Sequence, residues 1–223
     1  MKYYKLAIDG PAGAGKSSVA KMVARRLHYT YIDTGAMYRA ITYKAMKLNL
    51  DLADPNQFGF LDETEMKFID GILYLDGKNI TVPIRSNEVN NNVSVVASHV
   101  PVRNKLVSLQ QMIAKNSNVV MDGRDIGTIV LPDADLKIYM SATVEERARR
   151  RHEENRTLGI KSDYQALIEE IKRRDLFDSS RNYNPLRKAE DAVFLDTSKM
   201  DINEVADKIY EMFMDILKTK RSE

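Results

Sequence analysis

The chain of 223 residues carries a formal net charge of +2, has no cysteine, and is 43% hydrophobic and 30% charged. That balance belongs to a folded globular protein, and so small a charge argues against a polyanion or a membrane surface as partner. The lack of cysteine excludes disulfides and thiolate metal sites, and His28, His99 and His152 show no metal-ligand spacing. The first residues lack the basic-then-apolar pattern of a signal peptide, and no apolar run reaches membrane-spanning length. A cytoplasmic protein is expected.

Residues 3–9 read as a strand that leads into Gly10-Pro11-Ala12-Gly13-Ala14-Gly15-Lys16-Ser17, an uninterrupted G-x-x-x-x-G-K-S. Residues 18–27 then read as a helix. Strand, glycine-rich loop and helix in that order are what a phosphate-binding loop requires. The glycines let successive N–H groups converge on one anion, at a helix N-terminus whose dipole already favours negative charge. Lys16 would reach the β- and γ-phosphates, and the Ser17 hydroxyl would ligate Mg²⁺. A glycine-rich turn without a ligand is the bland alternative. Motif and flanks together point instead to a nucleoside triphosphate held by residues from Gly10 through Ser17 and Ser18.

Tyr29 to Ile32 is a second short β-type run, closing at Asp33, and residues 36–48 have helical spacing. The alternation predicts a parallel α/β sheet, with ligands gathered beyond the carboxyl ends of its strands. From about Asp51 to Asn116 the pattern breaks. Met66 to Asp70 and Gly71 to Leu75 run to Asp76-Gly77, a hairpin-turn signal, and Asn79 to Val82 reads as the returning strand. Helices are expected over 86–97 and 101–115. This insert has too few apolar residues to fold alone. The body resumes with strands at 118–122 and 136–140, and with charged helices at 142–156 and about 163–175, split by Thr157-Leu158-Gly159. A fifth strand is expected at 192–196, and a last helix with Ile202, Val205, Ile209, Phe213 and Ile216 on one face. The basic tail, Lys218 to Arg221, is expected to fray. The expected organisation is a core of 1–50 and 117–223 with 51–116 inserted, acting as one functional domain over 1–220.

Phosphate-binding loops serve GTPases, motors, ATPases and small-molecule kinases, so the loop alone leaves the reaction open. The D-x-x-G and N-K-x-D signatures of a GTPase are missing. A nucleotide-dependent switch or nucleic-acid-binding protein is therefore the weaker alternative to a small-molecule kinase. Thr34, Gly35 and Arg39 add a hydroxyl, helix N–H groups and a guanidinium one turn further on, which together could hold an acceptor phosphate. An N-cap with a surface arginine is the plain alternative.

Residues Asp33 to Arg39 (Asp-Thr-Gly-Ala-Met-Tyr-Arg), with Ile8 to Ser17 and Asp122-Gly123-Arg124-Asp125-Ile126-Gly127-Thr128, closely resemble the bacterial cytidylate (CMP/dCMP) kinase family of type 1. The resemblance covers nearly the whole chain, including the insert, Glu170 to Asp175 and the pair Asp178 and Arg181. It implies a P-loop NTPase fold of the α/β class: a five-stranded parallel core sheet flanked by helices, an acceptor-binding subdomain at 51–116, and a helical lid near 148–165. The implied reaction is ATP + (d)CMP → ADP + (d)CDP with Mg²⁺, part of pyrimidine nucleotide metabolism. A monomer without nucleic-acid or membrane partners is expected.

The resemblance also implies residue roles. Lys16, Arg39, Arg124, Arg174 and Arg181 would be catalytic. Thr34, Arg39, Ser94, Arg103, Arg124, Asp125, Asp178 and Arg181 would bind CMP. Asp125 suits cytosine, whose exocyclic N4 donates hydrogen bonds that an ionised carboxylate accepts; uracil presents an oxygen there. Asp178 and Arg181 would reach the acceptor's sugar and phosphate, or else form a local i,i+3 ion pair. Asp122 would order water around Mg²⁺, or cap a buried strand. Arg147, Arg150, Arg151 and Arg156 are lid candidates, one or two of them closing over the transferred group, against the alternative of a solvated helix face.

Overall fold

Leu6-Ala7-Ile8 is apolar without alternation, the mark of a strand covered on both faces, and all three side chains are fully buried. In the computed structural model, which describes residues 3–69, 71–157 and 159–221 (without the Arg221 side chain), they form β1 (Lys5–Asp9). There follow α1 (Lys16–Leu27), β2 (Thr30–Asp33), α2 (Thr34–Lys47), β3 (Met66–Ile69), β4 (Ile72–Leu75) and β5 (Lys78–Asn79). Next come α3 (Asn87–Val96), α4 (Val100–Asn116), β6 (Val119–Gly123), a π-helical turn at Ile126–Val130 and β7 (Leu136–Ser141). The chain ends with α5 (Val144–Thr157), α6 (Tyr164–Ser180), β8 (Val193–Asp196) and α7 (Ile202–Arg221). Among the described residues no helix is long and apolar enough to cross a membrane.

The main sheet has the order β2-β6-β1-β7-β8, and β1 runs parallel to both β6 and β7. Register pairs Ile8 with Asp122 and Ile138, so the loops after β1 and β6 leave the sheet at one edge. The chain steps from β1 over β6 to β2, then later to the other side with β7. That reversal of direction is where ligands collect in open α/β sheets. Val19, Val23 and Ala24 of α1 and Val205, Ile209 and Phe213 of α7 cover the sheet in one apolar core with Leu6, Ile8, Val120 and Ile138. Helices α5 and α6 share a smaller core of Ala148, Leu167, Ile168 and Ile171.

Two compact units are present, residues 1–31 with 118–223, and residues 32–117. The sequence reading starts the insert at 51; by contacts the second unit starts at Ile32, because α2 packs on α3 and α4. Within that unit β3, β4 and β5 form a separate antiparallel sheet.

Several boundaries differ from the sequence reading. The returning strand is Lys78–Asn79, not 79–82: the Asn79 Oδ1 accepts from the Thr81 N–H (3.0 Å) and hydroxyl (2.8 Å), turning the chain before Pro83. Helix α6 continues five residues beyond Asp175, to Ser180. The C-terminal tail is helical to Arg221 rather than frayed, and Lys220 reaches Asp135 at 2.5 Å. Asp70, at the end of an expected strand, and Leu158, in the expected break between the two charged helices, lie outside the described residues.

Candidate active site

In the first unit the phosphate loop joins β1 to α1 by a path that only glycine permits at its start. A Cβ on Gly10 would lie 2.0 Å from the Met140 carbonyl oxygen, at a φ of 148°. Gly15 caps α1 in the left-handed region (φ 84°), which leaves the first-turn N–H groups of α1 without side-chain caps and turned toward the loop. The Lys16 amine is buried and donates to the Pro11 carbonyl at 2.8 Å. Burial first, and then Arg124, hold the Lys16 amine well below the usual lysine range; Asp122 and Asp9 pull the other way.

Three carboxylates on neighbouring elements brace this loop and its surroundings. Asp9, the last residue of β1, accepts from the Ile126 N–H (2.8 Å) and the Gly127 N–H (2.7 Å). Burial pushes its carboxyl up from 3.8 to about 7, against the pull of those two N–H groups. Asp122, the next-to-last residue of β6, accepts from the Ser17 hydroxyl through Oδ2 (2.7 Å) and from the Tyr31 hydroxyl through Oδ1 (2.9 Å). Asp175 of α6 accepts from the Ala12 N–H at 3.1 Å and from Arg147 at 2.5 Å, while Arg147 also donates to the Ala12 carbonyl at 2.9 Å. Both polar groups of the Ala12 residue are thereby taken.

Beyond β6, Arg124 donates through Nε to Asp178 at 2.8 Å, and Arg181 faces the other Asp178 oxygen at 3.9 Å. Burial alone would raise the Asp178 carboxyl; Arg124, Arg174 and Arg181 together hold it below the usual range. Arg174 of α6 also acts electrostatically on Lys16. Asp125 is buried at φ −142° and ψ 28°, at the mouth of the π-helical turn, a feature frequent at functional sites. Lys16, Ser17, Asp122, Arg124, Asp125, Arg174, Asp178 and Arg181 are all in this one unit.

The four lid candidates are placed unequally. Arg147 is buried in the brace just described. Arg150 donates to Glu146, to the Thr197 carbonyl at 2.6 Å and to the Thr197 hydroxyl. Arg151 pairs with Glu154 at 3.3 Å on the exposed face of α5, and Arg156 is exposed in its last turn.

The second unit carries Thr34, Arg39, Ser94 and Arg103. Helix α2 starts at Thr34, one residue earlier than its glycine suggests, because the Asp33 carboxylate caps it by accepting from the Ala36 N–H at 2.7 Å. The other Asp33 oxygen takes Arg39 at 3.0 Å, and the guanidinium crosses close over Gly35, whose absent Cβ would sit 3.1 Å from it. Arg103 is 1% exposed, lies 5.4 Å from the Tyr38 ring centre and donates to the Ala97 carbonyl. Ser94 is half-buried on α3.

Asp9, Tyr31, Asp33, Asp175 and the buried role of Arg147 were not assigned from sequence. Asp33 was the findable one, since an aspartate before Thr-Gly at a helix start is an N-cap signal.

The sequence profile of the cytidylate kinase family matches residues 6–215. The chain belongs to the cytidylate kinase family. It is 53% identical over 216 residues to the cytidylate kinase of Bacillus velezensis, covering 95% of this chain and 96% of that one. With the cytidylate kinase of Bacillus subtilis (strain 168) it shares 53% over 215 residues, covering 94% and 96%. Among solved structures, an uncharacterised protein from Eubacterium ventriosum superposes with a TM-score of 0.54 at 15% identity, over 96% of this chain and 99% of that one, a likeness of fold. Family membership brings ATP-dependent phosphoryl transfer and nucleotide substrates with it.

Proposed function

We propose that this member of the family is a cytidylate kinase that moves the γ-phosphoryl group of ATP to CMP or dCMP, giving ADP and CDP or dCDP. The observation that carries this reading is the match to named cytidylate kinases across nearly the whole chain. What supports it in the structure is the grouping of the phosphate loop with Arg124, Asp125, Arg174, Asp178 and Arg181 in one compact unit.

A nucleotide monophosphate has a second pKa near about 6, so at neutral pH the acceptor is already an anionic nucleophile and needs no general base. The protein's task is to align two phosphates that repel each other and to neutralise the charge that develops during transfer. In this proposal the N–H groups from Gly13 to Ser18 and the Lys16 amine hold the donor phosphates, the amine leaving the Pro11 carbonyl to do so. Arg39, Arg124, Arg174 and Arg181 neutralise the transferring and accepting phosphates. Asp178 serves twice: it orients Arg124 and Arg181 and offers its oxygens to the acceptor sugar. The Asp125 carboxylate accepts from cytosine N4, with Thr34, Ser94 and Arg103 contributing to acceptor binding. Arg150 is the lid arginine best placed to act, since its guanidinium lies 3.8 Å from where a Cβ on Gly15 would be.

The residues present fit a hard divalent cation: the exposed Ser17 hydroxyl and the Asp122 carboxylate are adjacent oxygen donors. When bound, Mg²⁺ would neutralise charge on the β- and γ-phosphates; Ser17 would hold it directly and Asp122 through water.

A panel of CMP, dCMP, UMP, dTMP, AMP and nucleoside acceptors with ATP and Mg²⁺ tests the reading. CMP and dCMP should give the highest kcat/KM. Preference for any other acceptor, or triphosphate hydrolysis without transfer, would overturn it.

A further inference from the structure

The Ser17 hydroxyl has one proton and two lone pairs, and their directions decide whether it can serve a cation. Its proton is committed to Asp122 Oδ2 at 2.7 Å, which leaves both lone pairs of the Ser17 oxygen for a ligand. That arrangement holds only while the Asp122 carboxylate keeps its rotation. Ser17 is exposed at the start of α1 and is a poor anchor for it. The Tyr31 hydroxyl is a good one: it donates to Asp122 Oδ1 at 2.9 Å from the neighbouring strand, 91 residues away in sequence. Its ring packs against the core cluster that includes Leu6, Val23 and Phe213, so the donor is fixed at its base.

Resting on the proposed Mg²⁺ role of Ser17 and Asp122, we propose that Tyr31 is a positioning residue for the cation: it locks the Asp122 carboxylate, which keeps the Ser17 proton turned away from the site. Without the phenol, the Asp122 carboxylate loses the hydrogen bond that holds its Oδ1 and turns more readily, and the Ser17 hydroxyl spends a larger part of its time with its proton aimed at the cation. The loss should fall on divalent-cation affinity and leave the acceptor nucleotide untouched. Supporting groups of this kind commonly govern metal affinity as strongly as some ligands do.

The experiment uses the full chain and Tyr31→Phe, which keeps the ring in the core and removes one oxygen. Binding of Mn²⁺ to the protein–ADP complex is read from loss of the free-ion EPR signal, and CMP affinity is measured by calorimetry without metal. Tyr31→Phe should weaken Mn²⁺ binding about fivefold, the size of one modest hydrogen bond, and raise the Mg²⁺ needed for half-maximal rate in parallel, with CMP affinity within about twofold. In an Asp122→Ala background the same substitution should have no further effect, because the carboxylate that Tyr31 positions is gone. Unchanged Mn²⁺ affinity, an equal loss of CMP affinity, or a full effect persisting beside Asp122→Ala would each overturn the inference. Ser17→Ala separates the two levels. If it weakens Mn²⁺ binding while Tyr31→Phe does not, only the role of Tyr31 falls; if neither does, the cation site falls and the inference with it.

Discussion

Asp175 and Arg147 grip opposite ends of one residue, Ala12, the carboxylate taking its N–H and the guanidinium giving to its carbonyl. The two also pair with each other at 2.5 Å. Because Arg147 is in the first turn of α5 and Asp175 sits far along α6, the two helices on either side of the expected lid segment, 148–165, are tied directly to the phosphate loop. Asp175→Asn keeps the acceptor for Ala12 but loses the ion pair. It should raise KM for ATP about tenfold, with KM for CMP moving less than about twofold, since a positioning loss of this kind costs on the order of 1–3 kcal/mol. Steady-state kinetics with each substrate varied in turn checks it; a parallel rise in both KM values would count against a loop-specific role.

Asp9 gives a pH prediction. Its folded carboxyl is raised to about 7 from 3.8, so the stability linked to its proton is fully present below about 4 and is lost as pH rises to about 7. Across that window the unfolded chain has released a proton that the folded chain still holds, and one proton changes stability by up to about 1.4 kcal/mol per pH unit. Asp9→Asn lacks this term, although it leaves one of the two N–H donors at Ile126 and Gly127 facing an amide. The variant should be the less stable protein at pH 5, and the gap should narrow or reverse by pH 8. Urea unfolding of both proteins at the two pH values is the measurement, and a gap independent of pH would place the Asp9 proton elsewhere.

Base selectivity should sit on Asp125. Asn at this position presents a donor as well as an acceptor, so Asp125→Asn should cut the CMP-over-UMP ratio of kcat/KM roughly tenfold to a hundredfold, the worth of about 1–3 kcal/mol of hydrogen bonding to one base edge. Competition between the two acceptors reads the ratio directly. An unchanged ratio would move discrimination to Arg103 and Ser94.

Lys16→Ala should lower kcat by on the order of 10²–10³ while CMP binding measured by calorimetry stays within about twofold. The Pro11 carbonyl, the partner of Lys16 in this structure, would be left without it, so a melting curve should accompany the kinetics. Near-normal turnover in the folded variant would remove Lys16 from the transfer step.

What was legible in the sequence was local. Gly10 to Ser17, Asp33 to Arg39 and Asp122 to Thr128 each carry their chemistry within a few consecutive residues, and the pattern around them put each at the carboxyl end of an expected strand. The braces were not legible, because their halves are distant in sequence: Tyr31 and Asp122 are 91 residues apart, Asp9 and Ile126 are 117, Ala12 and Asp175 are 163. No periodicity encodes such a pairing. The arginines of α5 show the same limit from another side. Arg147, Arg150 and Arg151 are near-neighbours of one residue type, yet one is buried, one spans to Thr197 and one pairs on the surface. Helical spacing gives the face each occupies, while its task depends on what the fold brings against that face.

Strand β1 lies at the centre of the main sheet, bonded on both flanks and buried throughout Leu6, Ala7 and Ile8. A loop rooted there cannot loosen by degrees, because its base opens only when the sheet does. Damage elsewhere in the sheet should therefore act on how many molecules are competent rather than on how well each one works: a destabilised variant would lose specific activity in proportion to its folded fraction, and the survivors would keep the Michaelis constants of the intact protein.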